Sequence, residues 1–580
     1  MNTGETRLLR VETVADLPVL WAIFQRIDLP ATLDRHFPTP PHWTGDLTPG
    51  DVLALWLLFL VSQGDHRLNH VEPWVEQHQL TLSALLGKAV LPRHAHDDRL
   101  ADLLDRLADH DRFAALELEL NQQAIRVHQL PTDLVRIDTT TANSHAAVLS
   151  EKGLLRFGHG KDDPDRPQLK IAAAVLDPLG MPLATSVVAG NSADDPLYIP
   201  AIQAVRQSLG TGGRTYVGDC EMASLATRVV VAAGGDFYLC PLAEIQLGRA
   251  ERHELLRPVW GGTQALRPVH RPAAEGESEE LVAKGFAVDV ELTAVLDGKS
   301  VGWKERRRLV RSCAYARAQE SALERRSEKT AAALRELPAR KQGKKVLTGE
   351  QPREAADAML AREGVGKLLS YEVREERTSK PMRAYKDRPA REEVEVTYVV
   401  EIRREEGAIA ESKRSMGWRV YATNDLGLTL SQAVWAYRGQ YRVEDDWSRL
   451  KGRPSGLTPM YLQDECRMQG LVYLLSVALR LLTLVEWGVR ESPRKSGEKL
   501  EEIHAGQRGR KTTRPSAEWL LAAMKTIQVS VVEVNGEVYV LLSPMKAVQR
   551  RLLALWGLTG DLYERLIHNF PKPPPNTSEP

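Results

Sequence analysis

An α/β fold is predicted for this 580-residue chain: a mixed sheet flanked by helices, interrupted by a mixed α/β insertion, with a helical N-terminal domain and a small C-terminal region. Three observations predict it. Up to about residue 130, apolar residues recur at three- and four-residue spacing. At Pro131 the period changes to two, and the chain then runs β-β-β-α-β-α-β. Residues 244–424 add strand-like alternation around a charged helix, which is too much material for one sheet domain.

The N-terminal domain, 1–130, rests on LTPGDVLALWLLFLVSQG, where Thr-Pro starts a helix, and on DDRLADLLDRLADHDRFAALELELNQQAIRVHQ. The first part of the core, 131–243, begins with the strand LVRIDTTTA. QLKIAAAVLD and PLATSVVAG follow, joined by the turn DPLG. DDPLYIPAIQAVRQSL is then a helix, RTYVGD a strand, MASLATRVVVAAG a helix ending at glycine, and DFYLCPL a strand. Three consecutive strands, then two reached through helical crossovers, define a mixed sheet.

The insertion, 244–424, carries GFAVDVELTAVLDGKSVGWKERRRLVRS and EEVEVTYVVEIRREE as strands, ARAQESALERRSEKTAAALREL as a helix, and WRVYATN as its closing strand. The core resumes over 425–490 with LSQAVWAYRGQYRVEDDWSRLKG as one helix and MQGLVYLLSVALRLLTLVEWGV as another. Residues 491–580 hold a polar basic linker, the hairpin VSVVEVNGEVYVLL with its Asn-Gly turn, the helix MKAVQRRLLALWGL and a Pro-rich tail expected to be disordered.

With 77 Lys+Arg against 77 Asp+Glu the chain is neutral, so any polyanion contact must come from local patches. The four cysteines have no CxxC spacing, which argues against a zinc ribbon or a disulfide framework and for a reducing, cytoplasmic compartment. MNTGETRLLR has no apolar stretch behind its basic residues and does not read as a signal peptide. Val52 to Val61 is too short to span a bilayer and Leu471 to Val485 is interrupted by Arg480, so no membrane segment is expected.

Alternation in LVRIDTTT puts Asp138 on the face opposite Val135 and Ile137, and an acid inside a strand needs a partner or a metal. Asp219 ends RTYVGD, where a parallel strand delivers its last residue to the ligand-binding edge. If the two strands are neighbours, the acids meet. The third acid is Glu444. In YRGQYRVEDDWSRLKG, Tyr437, Glu444 and Lys451 are spaced by seven, nearly two turns of one helix. Three carboxylates make an oxygen-rich site for Mg²⁺, and two such ions serve in-line phosphoryl transfer. Lys451 and Tyr437 would then contact a phosphate backbone and Tyr441 would stack on an unpaired base.

Each feature has a plainer account. Asp138 would serve a turn or a salt bridge, Asp445 and Asp446 compete with Glu444 on a solvated acidic face, and Trp447 would be a core anchor. HAHDD at 94–98 has ligand-like residues but lies at a helix start, where Asp caps are expected. Residues 302–345 carry 14 Lys/Arg against 5 Glu. That excess either attracts DNA or pairs internally along an exposed helix. The linker with Arg508, Arg510, Lys511 and Arg514 is a second basic candidate.

In this order and spacing, DDRLADLLDRL, RIDTTT, GHGKDDPDRPQLKIAAAVLDPLGMPLATSVVAGNSAD, VGDCEMAS, YRGQYRVEDDWSRLKG and TTRPSAEWLL resemble the DDE transposases of bacterial insertion sequences, over most of residues 90–530. The branch is the one with a Y-R-E-K signature and a β-rich insertion. The resemblance implies a ribonuclease-H-like core with Asp138, Asp219 and Glu444 as the catalytic, metal-binding triad. It implies two Mg²⁺ ions, with Mn²⁺ as a substitute. The implied partners are double-stranded DNA, at the element's terminal inverted repeats and at the target, and a second copy of the chain in a nucleoid-associated homodimer. The implied reaction is DNA cleavage and strand transfer. Tyr437, Glu444 and Lys451 fit the signature, but Gln440 stands where it has Arg, with Arg438 and Arg442 beside it. Gln440 therefore supports an alternative, a catalytically impaired DNA-binding regulator, and Gln440→Arg is expected from sequence to raise activity. DNA contacts are expected at Tyr437, Gln440, Tyr441, Arg442 and Lys451.

Overall fold

The computed structural model describes residues 6–571, apart from 149, 159, 161–162, 272–278, 338–349, 384–390, 453–455, 505–506 and 508. The Pro-rich tail beyond Pro571, part of the GHGKDD stretch, the end of the basic 302–345 stretch and Arg508 therefore lie outside the described residues. The chain divides into two compact units: Met1–Cys240 with Thr293–Trp303 and Ala436–Pro580, and Pro241–Leu292 with Lys304–Trp435.

In the first unit the five expected core strands form in the expected order. Across the sheet they run Met181–Ala189, Gln168–Leu176, Leu134–Asn143, Thr215–Val217, Phe237–Pro241. The first two pairings are antiparallel and the last two parallel. Tyr198–Leu209 and Leu225–Ala233 are the crossover helices, as the apolar spacing predicts. Helix Pro49–Gln63 starts with a Thr48–Asp51 capping box, stops at left-handed Gly64 and is buried along nearly its whole length.

The 32-residue helix Glu465–Ser496 packs against Asp97–Leu107, Pro49–Gln63 and strand Met181–Ala189. By length and composition it could cross a membrane, but 94% of its apolar window is buried inside the protein. Arg480, in the middle of that window, is fully buried. It pairs with Glu117 at 3.1 Å and donates to Asn121 and the Pro182 carbonyl. Glu117 in turn accepts from the backbone N–H and the hydroxyl of Thr185, so the helix is tied to the sheet through Arg480 Nη2, while Arg480 Nε and Nη1 are buried without a hydrogen-bond partner among the described residues. Gly470 permits the close crossing with Asp97–Leu107, because a Cβ there would lie 2.1 Å from the Leu104 carbonyl oxygen.

One departure from the helical N-terminal reading is the strand Thr6–Thr13, which pairs antiparallel with Gln528–Val534. Gln528–Val534 and Glu537–Leu542 form the expected hairpin. Its Asn535 and Gly536 both have positive φ, as a two-residue Asn-Gly turn requires.

The second unit contains the long strands Leu281–Leu296, apart from its Thr293–Leu296 end, and Lys304–Ser312, with the short strands Arg267–His270 and Trp418–Thr423 alongside. A separate two-stranded ribbon, Leu369–Met382 with Arg391–Arg404, packs with helices Cys313–Arg335 and Gln351–Glu363 around Leu323, Leu334, Leu360 and Val400. The first ribbon strand is highly charged and exposed, and the alternation reading did not assign it.

Candidate active site

The strand Leu134–Asn143 sets the site. It pairs in parallel with Thr215–Val217, Arg136 lying opposite Val217. The pairing ends there: Asp138 lies two residues further along its strand, and Asp219 lies two residues past Val217, where it caps the short turn Cys220–Ala223. Adjacent strands lie about 4.8 Å apart.

Each acid is held by a neutral donor. Trp447 donates its indole N–H to Asp138 Oδ2 at 3.0 Å. Tyr198, at the start of its helix and almost fully buried, donates its hydroxyl to Asp219 Oδ1 at 2.6 Å, and the Glu221 N–H reaches the same oxygen at 2.9 Å. Burial first, and then the charges of Asp219 and Asp138, hold the Tyr198 phenol well above its usual range, so it stays a proton donor. Nothing in DDPLYIPAIQ marks Tyr198 from sequence, because an aromatic at a helix start reads as core.

Three alternate residues of the strand, which share one face, each bond to the segment carrying Glu444. Arg136 Nη1 lies 3.5 Å from Gln440 Oε1, Asp138 meets Trp447, and Lys451 Nζ lies 3.4 Å from Thr140 Oγ1. Gln440 also donates to the Ile137 carbonyl at 3.2 Å. On the other face, Thr139 donates to Asp194, which also takes Lys170 at 2.7 Å.

The single helix expected across YRGQYRVEDDWSRLKG is instead two, Leu430–Arg438 and Tyr441–Lys451. Arg136 is the cause. Its Nη1 donates to the Ala436 carbonyl at 2.8 Å, the acceptor that a continuous α-helix would offer to the Gln440 N–H. The Gln440 N–H bonds to Tyr437 O instead, a tighter turn. Tyr437 therefore sits on the first helix, and Glu444 and Lys451 on the second.

Arg136 is 1% exposed and donates to Asp177 Oδ1 at 2.6 Å, which also takes Arg442 at 2.6 Å. Burial pushes the Arg136 guanidinium down, with Asp177 opposing. Gln440 and Arg442 are thus engaged within the protein. Tyr441 is 43% exposed, and a hydrogen bond from Arg514 holds its phenol below the usual value.

Glu444, in the first turn of its helix, and Asp445, just after it, are exposed, whereas Asp446 is buried against Gly180. Burial raises the Asp446 carboxyl well above the usual range, and it faces the core while Glu444 and Asp445 face out. Asp138, Asp219 and Glu444 are not a group whose ligand atoms all lie within 4.8 Å of one another. Among the described residues, His96–Asp97–Asp98 and Asp105–Asp464–Cys466 are such groups. The first is the exposed start of helix Asp97–Leu107, with His96 Nδ1 3.1 Å from Asp97; the N-cap is His96 with no side-chain cap bond, so the expected Asp cap does not form.

In the basic stretch of the second unit, Arg306 pairs with Asp289, Arg307 with Glu251 and Glu305, and Arg311 with Glu320. Internal pairing accounts for that part of it.

Residues 9–118 match the family described as a domain of unknown function (DUF4277). No curated protein matches the chain. Among solved structures, the chain is similar to the piggyBac transposase synaptic complex with hairpin DNA, determined by cryo-EM. The TM-score is 0.34, with 12% identity over 97% of this chain and 87% of that one. A likeness of that size is too loose to define a shared fold.

Proposed function

We propose that the protein is a DDE transposase of an insertion sequence, built on a ribonuclease-H-like core. On this reading it binds the terminal inverted repeats of its element and catalyses DNA cleavage and strand transfer. The observation that supports the reading is that Asp138 and Asp219 each follow, by two residues, the last pair of two neighbouring parallel strands, while Trp447 ties the Glu444 helix to Asp138.

The donor set fits a hard divalent cation. Tyr198 and Trp447 each engage one oxygen of Asp219 and Asp138, and every candidate ligand atom is a carboxylate oxygen. Two ions about 3.5–4 Å apart are the arrangement that serves in-line phosphoryl transfer. Asp138, Asp219 and Glu444 would hold the pair. When bound, Mg²⁺ supplies an activated attacking oxygen and charge stabilisation for the leaving one. Tyr198 and Trp447 orient the two aspartates, and Lys451 places a cation beside the strand for a DNA phosphate.

The impaired-regulator reading rested on Gln440, which has a packing role beside Arg136 and so loses its force as a sign of decay. DNA as double helix, a homodimer on that DNA and residence in the cytoplasm at the nucleoid belong to the same proposal.

The test uses labelled duplexes carrying the repeats that flank the gene. The protein is expected to cut them at the repeat boundary with Mg²⁺ or Mn²⁺ and to leave them intact in EDTA. Binding without cutting in any divalent ion, or cutting that survives EDTA, contradicts the proposal.

A further inference from the structure

Beyond the acids, the strand Leu134–Asn143 continues to a second cluster. Ser144 bridges in parallel to Met460, the Met460 N–H bonds to the Asn143 carbonyl at 2.8 Å, and the His145 N–H bonds to the Met460 carbonyl at 2.9 Å. These bonds bring the rings of His145 and Tyr461 into a stack, 4.6 Å between centroids and 20° between planes. Arg166 lies against the imidazole, its Nη1 2.9 Å from Nδ1 and 2.6 Å from Nε2, and is itself held by Asp163 at 2.8 Å.

Tyr461 remains 73% exposed although one face of its ring is already covered. An exposed aromatic alone means little. This one is fixed by two backbone hydrogen bonds at its neighbour and by a stacked partner, and it borders an open cavity of about 730 Å³ shared with Gln63, His66 and Arg67. The cavity is polar and of mixed charge, since Asp65 and Glu518 line it too and Arg67 pairs with Asp65 at 2.8 Å, so the rigid ring with its open π-face, not a cationic wall, is what an unpaired base would stack on. The order along the strand is carboxylate at Asp138, ammonium at Thr140 through Lys451, then the ring pair at His145. Chain length alone puts His145 within about 25 Å of Asp138, roughly seven nucleotides at the 3.4 Å spacing of a duplex strand.

We propose that Tyr461, backed by His145 and Arg166, is a stacking platform for unpaired nucleotides of a DNA strand leading away from the Asp138 site. The proposal rests on the DNA-processing reading above and adds to it a single-strand subsite.

The test is binding by the full chain, in Ca²⁺, to a blunt duplex and to the same duplex with an overhang of about ten nucleotides, long enough to span the distance from Asp138 to His145, carrying 2-aminopurine along its length. The overhang is expected to tighten binding roughly tenfold and to quench the 2-aminopurine, as one stacked base does. Tyr461→Ala should lose both effects and keep its affinity for the blunt duplex, whereas Tyr461→Phe, which retains the ring, should keep both. Absence of quenching, or equal losses on both duplexes, overturns the platform. If the wild-type chain cuts and binds blunt duplex without preferring overhangs, the platform alone fails. If it binds neither duplex, the DNA-processing reading fails with it.

Discussion

Glu444→Gln should abolish Mg²⁺-dependent cleavage of the element ends, lowering the rate by at least about 10³-fold, or about 4 kcal/mol of barrier, while folding and end binding persist. Glu444 is exposed in the first turn of Tyr441–Lys451. An isosteric amide there loses only a favourable interaction with the helix dipole, a few tenths of a kcal/mol. The unfolding midpoint should therefore stay put, which separates loss of chemistry from loss of structure. Asp445→Asn is the control, since Asp445 is equally exposed one residue on. If Asp445→Asn stops cleavage and Glu444→Gln does not, the ligand has been assigned to the wrong acid.

Gln440→Arg should destabilise the protein by about 2–4 kcal/mol, the reverse of what the signature alone suggests. Gln440 Oε1 lies 3.5 Å from the buried guanidinium of Arg136, and Asp177 already accepts from both Arg136 and Arg442. A third guanidinium in this place would meet like charge with no carboxylate left to pair with. Gly439→Ala should act on the same clamp, because its Cβ would fall 2.3 Å from Arg136 Nη2. Urea unfolding should show a lower midpoint at constant slope for both variants. An unchanged midpoint for Gln440→Arg, with raised activity, would show that the position accepts the charge.

Much of the core was legible because it is local. Period-two runs bounded by turn residues mark the strands of the sheet; the acid inside the first strand is Asp138, whereas Asp219, expected to end its strand, lies two residues past Val217. What stayed hidden depends on distant partners. TRLLRVET becomes a strand only against Gln528–Val534, more than 500 residues away. Arg136 breaks the signature helix from 300 residues away, so a seven-residue spacing was read as one continuous face. Tyr198 shows as a donor to Asp219 only once its helix packs on the sheet. The ribbon strand Leu369–Met382 alternates only over Leu369, Tyr371 and Val373, and beyond them it carries charge on both faces, so the apolar signal is too short to mark a 14-residue strand.

The most direct test of the proposed shared metal site is anomalous diffraction from crystals of the full chain soaked in Mn²⁺. Peaks should appear within about 2.5 Å of carboxylate oxygens of Asp138 and Asp219, with Glu444 on one of them, and should vanish in Asp138→Asn. Mn²⁺ found only at surface groups such as His96–Asp98 or Asp105–Cys466, with the strand acids bare, would contradict the account.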